Sequence, residues 1–336
     1  MNCSFEGVIV RLRMPQRLLL SFLAVSAMVG GTTAAAGAAT PDPSTVVDTA
    51  AAGHERGDSA TAQLLGKVTR STQWTPSAPV PLHFKTFHPQ GIVRVGDHYF
   101  MTSVEILQPT TPCNPACGGY DRTPGAGIGH LFEFDAGGNL LRDLKLRDGD
   151  VYHPGGLDYD GRYLWVPVAE YRPNSHAIVY RIDPATMKAT EVMRVDDHIG
   201  GIVHDLSSDR LNGVSWGSRT FYTWNKRGKL QQKVNNPEQF IDFQDCHYLQ
   251  KGKAVCGGVA GMAIAGQGFE LGGISLLDLR SMTAINTVPV TALSPAGHSI
   301  TRNPVWLQAN GKSLQLLAVP DDDDSSLLTY STPPLS

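Results

Sequence analysis

A hairpin unit that recurs along the chain limits its possible folds more than any other feature. The clearest copy is HPGGLDYDGRYLWVPVAE, from His153 to Glu170. Apolar runs alternate on both sides of Asp160-Gly161, and Asp-Gly between such runs marks a tight hairpin, because Gly supplies the positive φ that the turn needs. Related copies are HPQGIVRVGDHYFMTSVE (His88 to Glu105) and HIGGIVHDLSSDRLNGVSWGS (His198 to Ser218). FQDCHYLQKGKAVCGGV (Phe243 to Val259) and NPVWLQANGKSLQLLAVPDD (Asn303 to Asp322) keep the hairpin without the leading His. His153 and His198 stand 45 residues apart, a period that signals propeller blades.

Each hairpin except the last is followed by a second one: His130 to Leu146, Ala177 to Val195, Thr220 to Val234 and Gly273 to Val290. In each, an alternating strand ends near Asp or Asn, turns, and returns. Four strands per repeat make a blade, so the expected fold is an all-β, five-bladed β-propeller with four antiparallel strands per blade. The fifth copy has only Ser325 to Thr332 after its hairpin and lacks one strand. Gln63 to Thr72 is strand-like, and the expectation is that this N-terminal strand closes the ring and removes an exposed edge. Strand crowding at a propeller axis is enough to explain the Gly-Gly of each opening.

The 336-residue chain carries a formal charge of −3, with 18% charged residues. This balance gives no basic excess for nucleic acid. Arg13 and Arg17 flank Met14, an apolar run follows from Leu18 to Val29, and Ala36-Gly37-Ala38 fits a signal-peptidase site. Residues 1–38 read as a leader cleaved near Ala38, 39–61 as a flexible linker, and 62–336 as one propeller domain. Met14 is an alternative start. The apolar run is short for a membrane span, so secretion is expected. Of the five cysteines, Cys3 falls in the leader. Cys246 and Cys256 face each other across a hairpin turn and Cys113 and Cys117 bracket a tight loop, so these two pairs are the expected disulfides in an oxidising compartment. A zinc site is the rival reading of the four.

In an antiparallel blade, the start of the first strand and the end of the second share one face. His88, His153 and His198 should therefore gather with Glu105, Glu170 and Asp321 around one mouth of the ring, joined by His298 and Asp245. The four histidines are the candidate ligands of a divalent metal. Glu105 and Glu170 are the candidate acid and base, and Gln90, Asp245, Tyr171, Arg172 and Asp321 the candidate ligand contacts. The insertion from Ile106 to Ile128, with Cys113 and Cys117, is a candidate lid over that mouth. A lone histidine at a strand end is also a common hydrogen-bonded structural residue, and the repeat would copy it. Asp321 to Asp324 reads as a solvated loop or a calcium ligand cluster. His204-Asp205 reads as a dyad or an ordinary turn, and Trp165, Trp216, Trp224 and Trp306 as inter-blade packing.

The HPQG…VE and HPGG…AE hairpins, with this style of leader, resemble a secreted actinobacterial β-propeller family of unknown function, over roughly the whole mature chain. Gln90-Gly91 and Glu105 are also similar to the first blade of five-bladed glutaminyl cyclotransferases. That family's Ser-Thr-Gly is replaced here by Ile106-Leu107, so only Glu105 carries over. The clustered histidines resemble, in arrangement alone, the channel mouths of metal-dependent lyases on larger propellers. These readings converge on an exported monomer whose His- and carboxylate-lined mouth binds a small polar molecule. One form is a metal-dependent hydrolase or lyase; the alternatives are a non-catalytic ligand- or glycan-binding propeller and an interaction scaffold.

Overall fold

The computed structural model describes residues 59–336. The expected leader and most of the linker lie outside the described residues. Five antiparallel sheets follow one another along the chain, each with the topology of a propeller blade. The first comprises His88–Val95, His98–Gln108, Ala126–Asp135 and Leu140–Leu146, and the third Ile199–Asp205, Arg210–Ser215, Thr220–Asn225 and Leu230–Asn235. The fourth comprises Asp242–Gln250, Lys253–Ile264, Gln267–Asp278 and Thr283–Val290. In the second, the inner strand is broken into His153–Pro154 and Asp158–Tyr159, both paired with Leu164–Ala169.

The repeat has a local chemical cause. The Asp or Asn at the end of the third strand turns its side chain back onto the next turn. Asp135 accepts from the amides of Gly137 and Asn139, Asp183 from Ala185 and Thr186, Asn225 from Arg227 and Lys229, and Asp278 from Arg280 and Ser281. Such side chains replace a backbone partner inside a turn. Between blades the glycines are set by space. A Cβ on Gly155 would stand 2.2 Å from the Gly200 carbonyl oxygen, and one on Gly156 2.7 Å from that of Gln244. The inner edges of the second and third blades meet here backbone to backbone, with Gly156 N–H donating to Gly200 O at 2.9 Å.

The apolar core is distributed between neighbouring sheets. Trp165, Ile202, Leu211 and Trp224 pack in one cluster of the second and third blades, and Val203, Phe221, Phe243 and Leu277 in one of the third and fourth. Both expected disulfides are present, Cys113–Cys117 and Cys246–Cys256.

The expected strand at Gln63–Thr72 is not one. Residues 59–65 are helical and turns follow. Ala62, Leu65 and Val68 recur every third residue and bury one side against the fourth and fifth blades, which is helical rather than strand periodicity. The third strand of the fifth sheet, Ser326–Ser331, is instead paired on its outer side by two short segments, Thr75–Pro76 and Val80–Pro81.

The inner strands are tied by two buried carboxyls. Asp158 accepts from the amides of His204 (2.9 Å) and Tyr248 (3.1 Å), and Asp245 from those of Ile92 (2.9 Å) and Val305 (3.3 Å). Asp245→Ala leaves two inner-strand amides without acceptors and is expected to cost about 2–5 kcal/mol in urea denaturation. Asp97→Ala, on an exposed turn, should cost about 0.5 kcal/mol or less. Equal effects of the two substitutions would contradict the tying role.

Candidate functional site

A recess of about 200 Å³ opens where the first three inner strands begin, lined by His88, His153, His198, Tyr171, Trp216 and Asp242 with Gln90 and Gln244. Each of the first three blades brings its leading histidine to this recess. The ring centroids of His88 and His153 are 6.3 Å apart, and those of His153 and His198 6.1 Å. Tyr171 stacks on His153 at 4.2 Å, and Trp216 meets His198 edge-on at 4.8 Å.

The two outer imidazoles are oriented from behind. His88 Nδ1 lies 2.8 Å from Asp322 Oδ1, and His198 Nδ1 2.8 Å from the Glu170 carbonyl oxygen. Both partners only accept, so each Nδ1 carries the proton and each Nε2 is turned away from its anchor. His153 is 5% exposed, and neither ring nitrogen has a hydrogen-bond partner. Burial, followed by the neighbouring His198 and His88, holds His153 well below the usual imidazole range. Burial also pushes His198 down to about 4, against the opposing pull of the Glu170 carbonyl. Both rings are therefore neutral at pH 7, and His198 Nε2 bears a lone pair. Asp322 sits below the usual carboxylate range: burial would raise it, but His88 and Arg302 together outweigh burial.

The disulfide-pinned insertion reaches this region. Arg122 lies over the Trp216 ring at 5.2 Å, and Arg172 over Tyr120 at 3.6 Å. Arg172 also holds Glu170 at 2.6 Å, and His176 takes the other carboxylate oxygen at 2.8 Å. Glu170 thus orients the site through its backbone carbonyl while its carboxylate is occupied.

The remaining sequence candidates are spread more widely. Gln90 lines the recess. Glu105 does not; it faces His130 Nε2 at 3.7 Å. Asp245 is buried in the inter-blade tie, and Asp321 accepts from Ser294 Oγ. His298 faces Glu270 at 3.3 Å, at a different recess lined by Met262, Phe269 and Leu293. Among the described residues, no group of three or more His, Cys, Asp or Glu side chains is arranged to hold a metal ion. The Asp321–Asp324 run is divided: Asp322 serves His88 and Asp324 serves Lys85. His204 bonds to Asp160 and Asp209 rather than to Asp205.

Trp216 was expected only as packing, yet it lines the recess. A signal for it is present in the repeat, because Tyr171 follows His153 and Trp216 follows His198 by the same 18 residues. Successive blades therefore deliver a histidine and an aromatic ring as a pair.

His198 sets a pH dependence. Its folded value of about 4 lies below the unfolded value of about 6.5, so its contribution is complete above about pH 6.5 and is lost as pH falls toward 4. Relative to wild type, His198→Gln should flatten the stability–pH slope between about pH 4.5 and 6 by up to about 1.4 kcal/mol per pH unit. An unchanged slope, measured by urea denaturation across that range, would show that His198 is not held neutral.

No curated protein matches this sequence. Among solved structures, the fold is similar to the tail fibre of Staphylococcus aureus phage P68 (TM-score 0.43, 10% identity, covering 78% of this chain and 53% of that one). It is also similar to Kuenenia stuttgartiensis hydrazine synthase (TM-score 0.37, 13% identity, 75% and 59%). A third is a luciferin-regenerating enzyme (TM-score 0.41, 10% identity, 76% and 96%). The chain thus spans little more than half the length of the first two. Residues 59–332 match the model of a family of unknown function, DUF6454, and the chain belongs to that family.

Proposed function

We propose that this propeller is an exported binding protein whose histidine recess takes a small polyhydroxylated ligand, such as a sugar unit or the end of a glycan. The observation that carries this reading is the acceptor character of the recess. His198 Nε2 presents a lone pair, neutral His153 adds one acceptor nitrogen beside one N–H donor, and Asp242, held by Arg219 through Oδ1, brings its second oxygen to the rim. Acceptors of this kind favour a ligand rich in hydroxyl donors. Tyr171 and Trp216 supply apolar faces for the ligand's carbon skeleton, and the Cys113–Cys117 loop acts as a lid through Arg122. The two disulfides agree with an oxidising compartment, as export requires.

A second reading, a hydrolase or lyase dependent on a divalent metal, rests on the spacing of neighbouring imidazoles. Two rings sharing one ion, with bonds of about 2.1 Å, have centroids about 5–6 Å apart. The observed 6.1 and 6.3 Å are close to that. A bound ion would sit between His153 and one neighbour, held by a nitrogen of His153 and by Nε2 of either His88 or His198, and would polarise an oxygen of the substrate.

Titration calorimetry of the wild type with neutral mono- and oligosaccharides, and separately with zinc and manganese, decides between the readings. Saturable sugar binding that weakens by about tenfold or more in His198→Ala, and severalfold in Cys113→Ser/Cys117→Ser, is the expected result. Metal binding abolished by His153→Ala, with sugar bound only in its presence, would favour the second reading. Binding of neither class, or sugar binding unaffected by His198→Ala, would overturn the first.

A further inference from the structure

The face opposite the histidine recess carries a second polar cavity, and its chemistry is the reverse of the first. Inner strands run from the recess to this face, so the turns after Asp205, Gln250 and Asp278 lie here. Between the third and fourth blades they enclose about 450 Å³, lined by Arg210, Lys251 and Arg280 together with Asn212, Asp205 and Asp278. A volume of this order is that of an ordinary small-molecule site, about 300–1,000 Å³.

The two carboxylates are already engaged. Asp205 accepts from Ser207 N, Ser207 Oγ and Ser208 Oγ. Asp278 caps its own turn through Arg280 N, Ser281 N and Ser281 Oγ, and these bonds, led by the Ser281 amide, keep it below the usual carboxylate range. The three cations are not engaged: none has an ion-pair or side-chain hydrogen-bond partner among the described residues. Elsewhere arginines are heavily committed; Arg142, Arg172, Arg194 and Arg219 all hold carboxylates.

A second and independent observation lies at the inner end of the cavity. Asn212 is 4% exposed, and its Nδ2 has no hydrogen-bond partner, while its Oδ1 accepts from Thr223 Oγ1 at 3.0 Å. A buried amide donor left unpaired costs about 1–3 kcal/mol. Turning the amide over exchanges which atom is unpaired and leaves the cost in place. In the orientation whose Oδ1 accepts from Thr223 Oγ1, an acceptor brought into the cavity removes it.

We infer that this cavity is a binding site for a tetrahedral oxyanion, a phosphate or sulfate group, free or carried on a small organic molecule. Two guanidinium forks and one ammonium offer several charge-assisted bonds to such a group, and Asn212 Nδ2 is the neutral donor behind them. The site is separate from the histidine recess and does not depend on what that recess binds.

The test uses the wild-type chain labelled with 15N, titrated with inorganic phosphate, inorganic sulfate and a sugar phosphomonoester at constant ionic strength. The readout is the side-chain NH₂ pair of Asn212. A saturable shift is expected with phosphate or its ester. It should weaken by about tenfold or more in Arg210→Gln/Arg280→Gln, since charge-assisted bonds contribute about 1.5–3 kcal/mol each. His198→Gln should leave the affinity unchanged. A response no greater than that to chloride, or wild-type affinity in the double variant, would overturn the assignment.

Discussion

The inner edge of each blade is a strand edge with no further strand to pair with, and in a closed ring it is buried. Its amides therefore need acceptors from somewhere else. Asp158, from the second blade, serves His204 and Tyr248 in the third and fourth; Asp245, from the fourth, serves Ile92 and Val305 in the first and fifth. Two side chains thus join the inner strands of all five blades. Burial dominates their titration: Asp158 is pushed up to about 7 and Asp245 well above the carboxylate range, although the amide bonds pull both downward.

Those ties fix where the inner strands begin, and so where the leading histidines stand. The recess follows from register. Once Gly155 and Gly200 allow the second and third blades to touch along the backbone, His153 is enclosed between its two neighbours. The same enclosure keeps His153 and His198 neutral. The axis and the recess also act against each other in acid. Between about pH 6.5 and 4, His198 loses stability as pH falls, because the unfolded chain binds the proton more tightly. Asp158, with its folded value raised to about 7, gains stability over the same interval because the folded chain holds the proton more tightly.

Much of the fold was readable because period-2 patterning, Asp-Gly turns and the Asx-capped second hairpins repeat in register. The helical segment at residues 59–65 was not, because Gln63 to Thr72 contains β-branched residues and its helical spacing of Ala62, Leu65 and Val68 is only three residues deep. Three of the four expected histidines, His88, His153 and His198, were legible from antiparallel geometry alone, whereas His298 stands with Glu270 at another recess. The fate of the carboxylates was not: Glu170 directly follows its expected strand and Asp245 lies within one, but whether a carboxylate faces a cavity or a set of donors depends on partners far along the chain, Ile92 and Val305 in the case of Asp245. Trp216 was hidden by its strand context, although its offset from His198 matches that of Tyr171 from His153.

Everything proposed for the recess depends on an imidazole held neutral and aimed by a backbone carbonyl. Long-range proton–nitrogen correlation spectra of 15N-histidine-labelled protein at pH 7 report the protonation of each ring nitrogen directly. For His198 the structure requires a protonated Nδ1 and an unprotonated Nε2. A protonated Nε2, in either the other tautomer or the imidazolium, would contradict it.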